Sequence, residues 1–183
     1  MAIYRIEADV SGCQSIVFDI DDYLDVLAPS IGEKQAMFLP MVNLAVAETW
    51  SPIELAYFQN EGTVDLADVS LWKSGVLLMN QKGYDALRDV LTGNGEFLPC
   101  ELSGKAAYIF NCLELKPENG AKVSYKEKEG WKQSVEAIEF PCGCNEALFK
   151  FKDELTFNLY GSEAFKVAYD SNELKGLYFS PSS

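Results

Sequence analysis

Between Asp68 and Glu101 the alternation of apolar and polar residues changes period twice, and each change marks an element. Val76-Leu77-Leu78-Met79 is a short unbroken apolar run, the pattern of a strand buried on both faces. Asn80 follows, a residue whose side chain can accept a hydrogen bond from a free N–H at a helix start. Tyr84, Leu87, Val90 and Leu91 then recur on one helical face, and Gly93 supplies the left-handed position that ends the helix. Phe97-Leu98-Pro99-Cys100 opens the next strand. The pattern predicts strand, helix, strand. Near the C-terminus it returns: Leu155 to Tyr160 as a strand, Ser162 as cap, Phe165, Ala168 and Tyr169 as a helical face, and Gly176 to Pro181 as the closing strand. Ala86-Leu87 aligns with Ala164-Phe165, and Phe97-x-Pro99 with Phe179-x-Pro181. The match is loose and two copies are too few for a solenoid. It suggests internal pseudo-symmetry within a single domain spanning residues 1–183.

The other segments read in the same way. Tyr4 to Ala8 and Ser15 to Phe18 are short strand candidates separated by a Ser11-Gly12 turn. Asp19 to Leu27 reads as a helix with Ile20, Leu24 and Leu27 on its apolar face and with Pro29 and Gly32 breaking it. Trp50-Ser-Pro52 reads as a fixed turn whose aromatic joins the core. Ala106 to Leu113 is a strand; Lys116 to Gly130 is polar and turn-rich, an exposed loop or ribbon; Val135, Ile138 and Phe140 form an apolar segment. Short strands of mixed type among a few short helices predict an α+β domain with a mixed sheet.

Composition narrows the function. Hydrophobic residues make up 48% of the 183, enough for a core without disulfides or metal. No apolar run nears the roughly 18 residues of a membrane span, and MAIYRIEADV lacks the basic flank and apolar stretch of a signal peptide, so a cytoplasmic protein is expected. The five cysteines, Cys13, Cys100, Cys112, Cys142 and Cys144, have no framework spacing and read as reduced thiols. Zinc on Cys142-Gly-Cys144 would need Cys100 and Cys112 as well, and C-x-C is poor ligand spacing. Histidine is absent, and with it the commonest general base and metal ligand. Neither a G-x-S-x-G elbow, a Walker-type phosphate loop nor a G-x-G-x-x-G fingerprint occurs. The reading is of a non-enzyme, with no catalytic residue, cofactor or metal.

The net charge is −13, of which residues 1–63 carry −8, ten acids against Arg5 and Lys34. A field of this sign disfavours nucleic acid and anionic lipid and favours a basic protein partner. Asp19, Asp21, Asp22 and Asp25 fall within seven positions and are the candidate partner-binding residues. The plain alternative is helix-start chemistry, since acids in a first turn gain about 0.3–1 kcal/mol from the dipole.

Two resemblances bear on these residues. Ile16 to Leu24, an apolar strand followed by Asp19-x-Asp21, resembles the first motif of haloacid-dehalogenase-type phosphohydrolases. That resemblance implies Asp19 as nucleophile and Asp21 as acid/base, but Tyr23 departs from the motif and its later motifs are missing. The second is broader. Trp50-Ser-Pro52, Ala67-Asp68-Val69, Ser74-Gly75-Val76-Leu77-Leu78, Glu96-Phe97-Leu98-Pro99, Tyr108-x-Phe110-Asn111, Ala147 to Lys150 and Leu174 to Pro181 carry it. Across residues 40–181 the chain resembles a bacterial immunity-protein family of polymorphic toxin systems, immunity family eleven, formerly a domain of unknown function. The resemblance implies a cytoplasmic antidote that binds a cognate toxin and neutralises it by direct protein–protein contact. A basic toxin such as a nuclease would suit so acidic an inhibitor; without the resemblance, the same residues describe an acidic binding module of unknown partner.

Overall fold

The computed structural model describes residues 2–39, 43–58, 65–73, 75–116, 122–128, 131–139, 146–151 and 158–181. The fold is α+β. A six-stranded mixed sheet has the order β2-β3-β6-β7-β5-β4, and a five-stranded mixed sheet the order β13-β1-β12-β11-β8. The first comprises β2 (Ser15–Phe18), β3 (Glu54–Phe58), β4 (Val69–Lys73), β5 (Val76–Asn80), β6 (Gly95–Leu102) and β7 (Lys105–Cys112). The second comprises β1 (Ile3–Ala8), β8 (Leu115–Lys116), β11 (Leu148–Phe151), β12 (Leu159–Ser162) and β13 (Leu177–Pro181). Between Lys116 and Phe140 lies the ribbon alternative, β9 (Lys122–Lys128) paired antiparallel with β10 (Trp131–Glu139). The described helices are α1 (Ile20–Ile31), α2 (Glu33–Met37), α3 (Gln81–Leu91) and α4 (Glu163–Ser171).

The apolar run Val76–Met79 does what four consecutive apolar residues in a strand must do. Leu77 and Met79 enter one core and Val76 and Leu78 the other, so β5 is buried on both sides between β4 and β7. The first core gathers Leu87 and Leu91 of α3, Phe165 and Tyr169 of α4, and Ile6, Leu148, Leu159 and Leu177 of the five-stranded sheet. The second core lies on the opposite face, where Tyr23 and Leu27 of α1 and Ala36 of α2 cover Leu55, Leu98, Cys100 and Ile109.

The repeat suggested by the sequence has a topological counterpart. In the first unit β4 is antiparallel to β5, α3 leads from β5 to β6, and β7 lies between β5 and β6, antiparallel to both. In the second unit β11 is antiparallel to β12, α4 leads from β12 to β13, and β1 lies between β12 and β13, antiparallel to both. The strand that closes the first unit follows it by a hairpin; the equivalent strand of the second is the first in the chain. The caps differ. Asn80 Oδ1 accepts from Gly83 N at 2.9 Å, whereas Ser162 holds the same position with no side-chain cap bond and its hydroxyl donates to the Ala147 carbonyl at 3.4 Å. Of the second strand as read from sequence, Leu155 to Phe157 lie outside the described residues.

Two expectations for the acidic helix are corrected. Its inward face is Tyr23 and Leu27, with Leu24 half-buried and packed against the same core; of the expected face Ile20 alone is turned out, 42% exposed, and Tyr23 is the residue added. The reason is aromatic. Tyr23 meets Phe18 and Trp72 edge-on at ring-centroid distances of 5.9 and 5.7 Å, and its hydroxyl donates to the Ala36 carbonyl at 2.9 Å. Pro29 does not break α1 but lies within it, forgoing one backbone bond, and the helix ends at Gly32, whose φ is +83°. Trp50 is half-buried against the second core, with its indole N–H donating to the Pro99 carbonyl at 2.8 Å.

Candidate partner-binding surface

Helix α1 leaves the outermost strand of the larger sheet directly: β2 ends at Phe18 and Asp19 is the N-cap. The Asp19 carboxylate accepts from Asp21 N at 2.8 Å, satisfying one of the free N–H groups of the first turn. With Tyr23 and Leu27 turned inward, Asp19, Asp21, Asp22 and Asp25 are all exposed. The structure does not hold them as one cluster. Asp19 and Asp22 face a groove of about 530 Å³ beside the sheet, while Asp21 and Asp25, with Glu33, line a separate hollow of about 350 Å³ along the helix.

The groove also brings in residues remote in sequence from α1. It is also lined by Glu54, Leu55 and Ala56 of β3, Glu101 of β6, Val17 and Phe18 of β2 and the Ser103-Gly104 turn. Glu54 and Glu101 are register partners in the parallel pairing of β3 with β6, and both are exposed. That places two carboxylates side by side on neighbouring strands, an arrangement that costs stability in the free protein. Ion pairs elsewhere on the surface occupy Asp65, Asp68, Glu146 and Asp170, with Lys175, Lys82, Lys116 and Lys166 as partners. Among the described residues no such pair reaches Asp19, Asp22, Glu54 or Glu101, and no basic side chain lines the groove.

Local backbone chemistry builds this corner. Ser103 and Gly104 both have positive φ, +52° and +74°, as a two-residue hairpin with the right twist demands. The turn then locks β3 in place: Ser103 N donates to Leu55 O at 2.8 Å and Tyr57 N donates to Ser103 Oγ at 3.2 Å. The hydroxyl thus continues a parallel ladder in which β6 itself has run out. Ser-Gly between two apolar-rich stretches is a recognisable turn signal; the adjacency of Glu54 and Glu101 is a long-range pairing with no local trace.

The phosphohydrolase arrangement finds little geometric support. Asp19 is engaged as a helix cap, Asp21 points to the other side of α1, and among the described residues no group of three or more acids and thiols is placed to hold a metal ion. The four-thiol zinc alternative is ruled out by the sheet itself. Cys100 belongs to the core under α1 and Cys112 to the core under α3, on opposite faces, while Cys142 and Cys144 lie outside the described residues. Cys13, Cys100 and Cys112 are buried free thiols, and burial pushes Cys112 up to about 11 and Cys100 up to about 12. Such thiols stay protonated at neutral pH and are poor nucleophiles. Near Cys112, Lys150 is fully buried on β11, and burial lowers it to about 8. Among the described residues no helix is long and apolar enough to cross a membrane. Compared with known proteins, the chain matches no family model and no curated protein.

Proposed function

We propose that the chain is a cytoplasmic immunity protein that binds a cognate toxin and neutralises it by occupying its surface. One observation carries the reading: Asp19 and Asp22 at the start of α1 share a surface groove with Glu54 and Glu101, and among the described residues no basic side chain lines that groove. A free protein gains nothing from four exposed carboxylates around one groove, whereas a complex with a basic partner turns their repulsion into attraction. The sequence resemblance to the immunity family points the same way, as does the absence of histidine.

The test is co-expression with the product of the adjacent upstream open reading frame. The expected result is a stable complex on gel filtration and rescue of growth when that product is toxic alone. No complex and no rescue would sink the reading. Magnesium-dependent phosphate-ester hydrolysis abolished by Asp19→Asn would put the phosphohydrolase in its place.

A further inference from the structure

The face of the larger sheet that carries Val17 and Phe58 is exposed at β2 and β3 among the described residues. On β2 and β3 alternate side chains point to opposite faces, so Ile16, Phe18, Leu55 and Tyr57 pack toward the core under α1. Ser15, Val17, Glu54, Ala56 and Phe58 point the other way, and all five are exposed. Val17 and Phe58 are large apolar residues 45% and 51% exposed. The pairings Val17↔Ala56 and Ser15↔Phe58 make them diagonal neighbours, about 7–8 Å apart, close enough to form one contact surface. The strip reaches the groove through Val17, which lines it together with Ala56, Asp19, Asp22, Glu54 and Glu101. The in-register glutamates are the second signal. Their repulsion is uncompensated among the described residues, and one cation placed between them would relieve it.

Building on the inhibitor reading, we propose that this face docks an extended segment of the partner protein in which basic and apolar side chains alternate. An apolar side chain covers Val17 and Phe58, and the next lysine or arginine enters the groove between Glu54 and Glu101. Arginine suits the site better, because its planar fork can satisfy two carboxylates at once. The hollow lined by Asp21 and Asp25 lies outside this contact and contributes only to the long-range field.

A fluorescent peptide of alternating arginine and leucine, titrated into the full chain at low ionic strength, tests the docking itself. Glu54→Gln with Glu101→Gln should weaken binding at least tenfold, as should Phe58→Ser, while Asp21→Asn with Asp25→Asn should change it less than twofold. The glutamate variant should also melt no lower than the native protein, so that loss of binding is not loss of fold. Equal weakening by the two carboxylate pairs, indifference to Phe58→Ser, or no binding would each overturn the proposal. The same variants assayed against the upstream gene product keep the two readings apart. A complex that survives the groove variants leaves the inhibitor standing and removes this surface from it. Peptide binding that follows the pattern, without any complex with that product, leaves the surface standing and removes the assumed toxin.

Discussion

Gly83 sits in the first turn of α3, where alanine would ordinarily favour a helix by about 1 kcal/mol. Here the preference should reverse. A Cβ at this position would overlap the Asp68 carbonyl oxygen, and that backbone cannot retreat. Asp68 O accepts from Asn80 N at 3.0 Å, and the Asp68 carboxylate accepts from Asn80 Nδ2 and Lys82 Nζ at 2.9 Å and from Lys175 N at 3.2 Å. Displacing Asp68 therefore disturbs the start of α3 and the approach to β13 together. We expect Gly83→Ala to lower stability by about 1–3 kcal/mol, the range for forced overpacking, as read by urea denaturation. A gain in stability would show that the helix can shift away from Asp68. Gly176, with φ +111° and its own missing Cβ against the Val69 carbonyl, makes the matching close approach from the second unit.

At the scale of elements, the two units differ mainly in where their middle strand comes from. Strand β1 runs antiparallel to β13 with Tyr4 opposite Pro181, which places the start of β1 beside the end of β13. Joining them would make β13–β1 a hairpin like β6–β7. A circular permutant with residue 183 linked to residue 1 and new ends between Ser11 and Gly12, in an exposed turn, should therefore fold. Its melting temperature should stay within about 5 °C of the native protein's, a difference of roughly 1–2 kcal/mol for a chain of this size. A molten permutant would mean that β1 must be placed early, ahead of the unit it completes.

The same elements show what a sequence discloses. The strand β5 and helix α3 were legible because both are specified locally, by an apolar run, an Asn cap and a 3.6-residue period. Strands β3 and β4 were not, because Glu54–Phe58 and Val69–Lys73 alternate too briefly to stand out from loops. Tyr23 joins Leu24 and Leu27 on the inward face of α1 although it looks polar by type, because its hydroxyl has a buried partner. The acids of α1 were legible as a run along the chain. Their division between two hollows, and the arrival of Glu54 and Glu101, depend on strand pairing that no local pattern encodes.

Over the whole molecule the charge is lopsided: residues 1–63 carry −8, residues 64–104 carry −3 and residues 105–183 carry −2. Steering and contact make different demands on these charges. Contact is short-ranged and sets the dissociation rate, whereas steering acts over many ångströms and sets the association rate. Screening separates them, because the Debye length falls from about 30 Å at 0.01 M salt to about 8 Å at physiological ionic strength. Association with a basic partner should slow by about tenfold or more across that range, while dissociation changes by less than about twofold. Neutralising Asp21, Asp22 and Asp25 to Asn should slow association at low salt and reduce its salt dependence. The fold should hardly notice. Loss of the dipole interaction costs about 0.3–1 kcal/mol for each of Asp21 and Asp22, the acids of the first turn. Relief of the Asp21–Asp25 repulsion, four residues apart on one helix, returns about 0.2–0.5 kcal/mol. The triple variant should thus melt only slightly lower. Stopped-flow mixing of native and variant protein with the upstream gene product, at 0.01 and 0.15 M salt, reads both rates. A native association rate that ignores salt would deny the field any role, and a variant that binds at the native rate but melts lower would make Asp21 and Asp22 helix-start residues and Asp25 a solvated charge, with no part in binding.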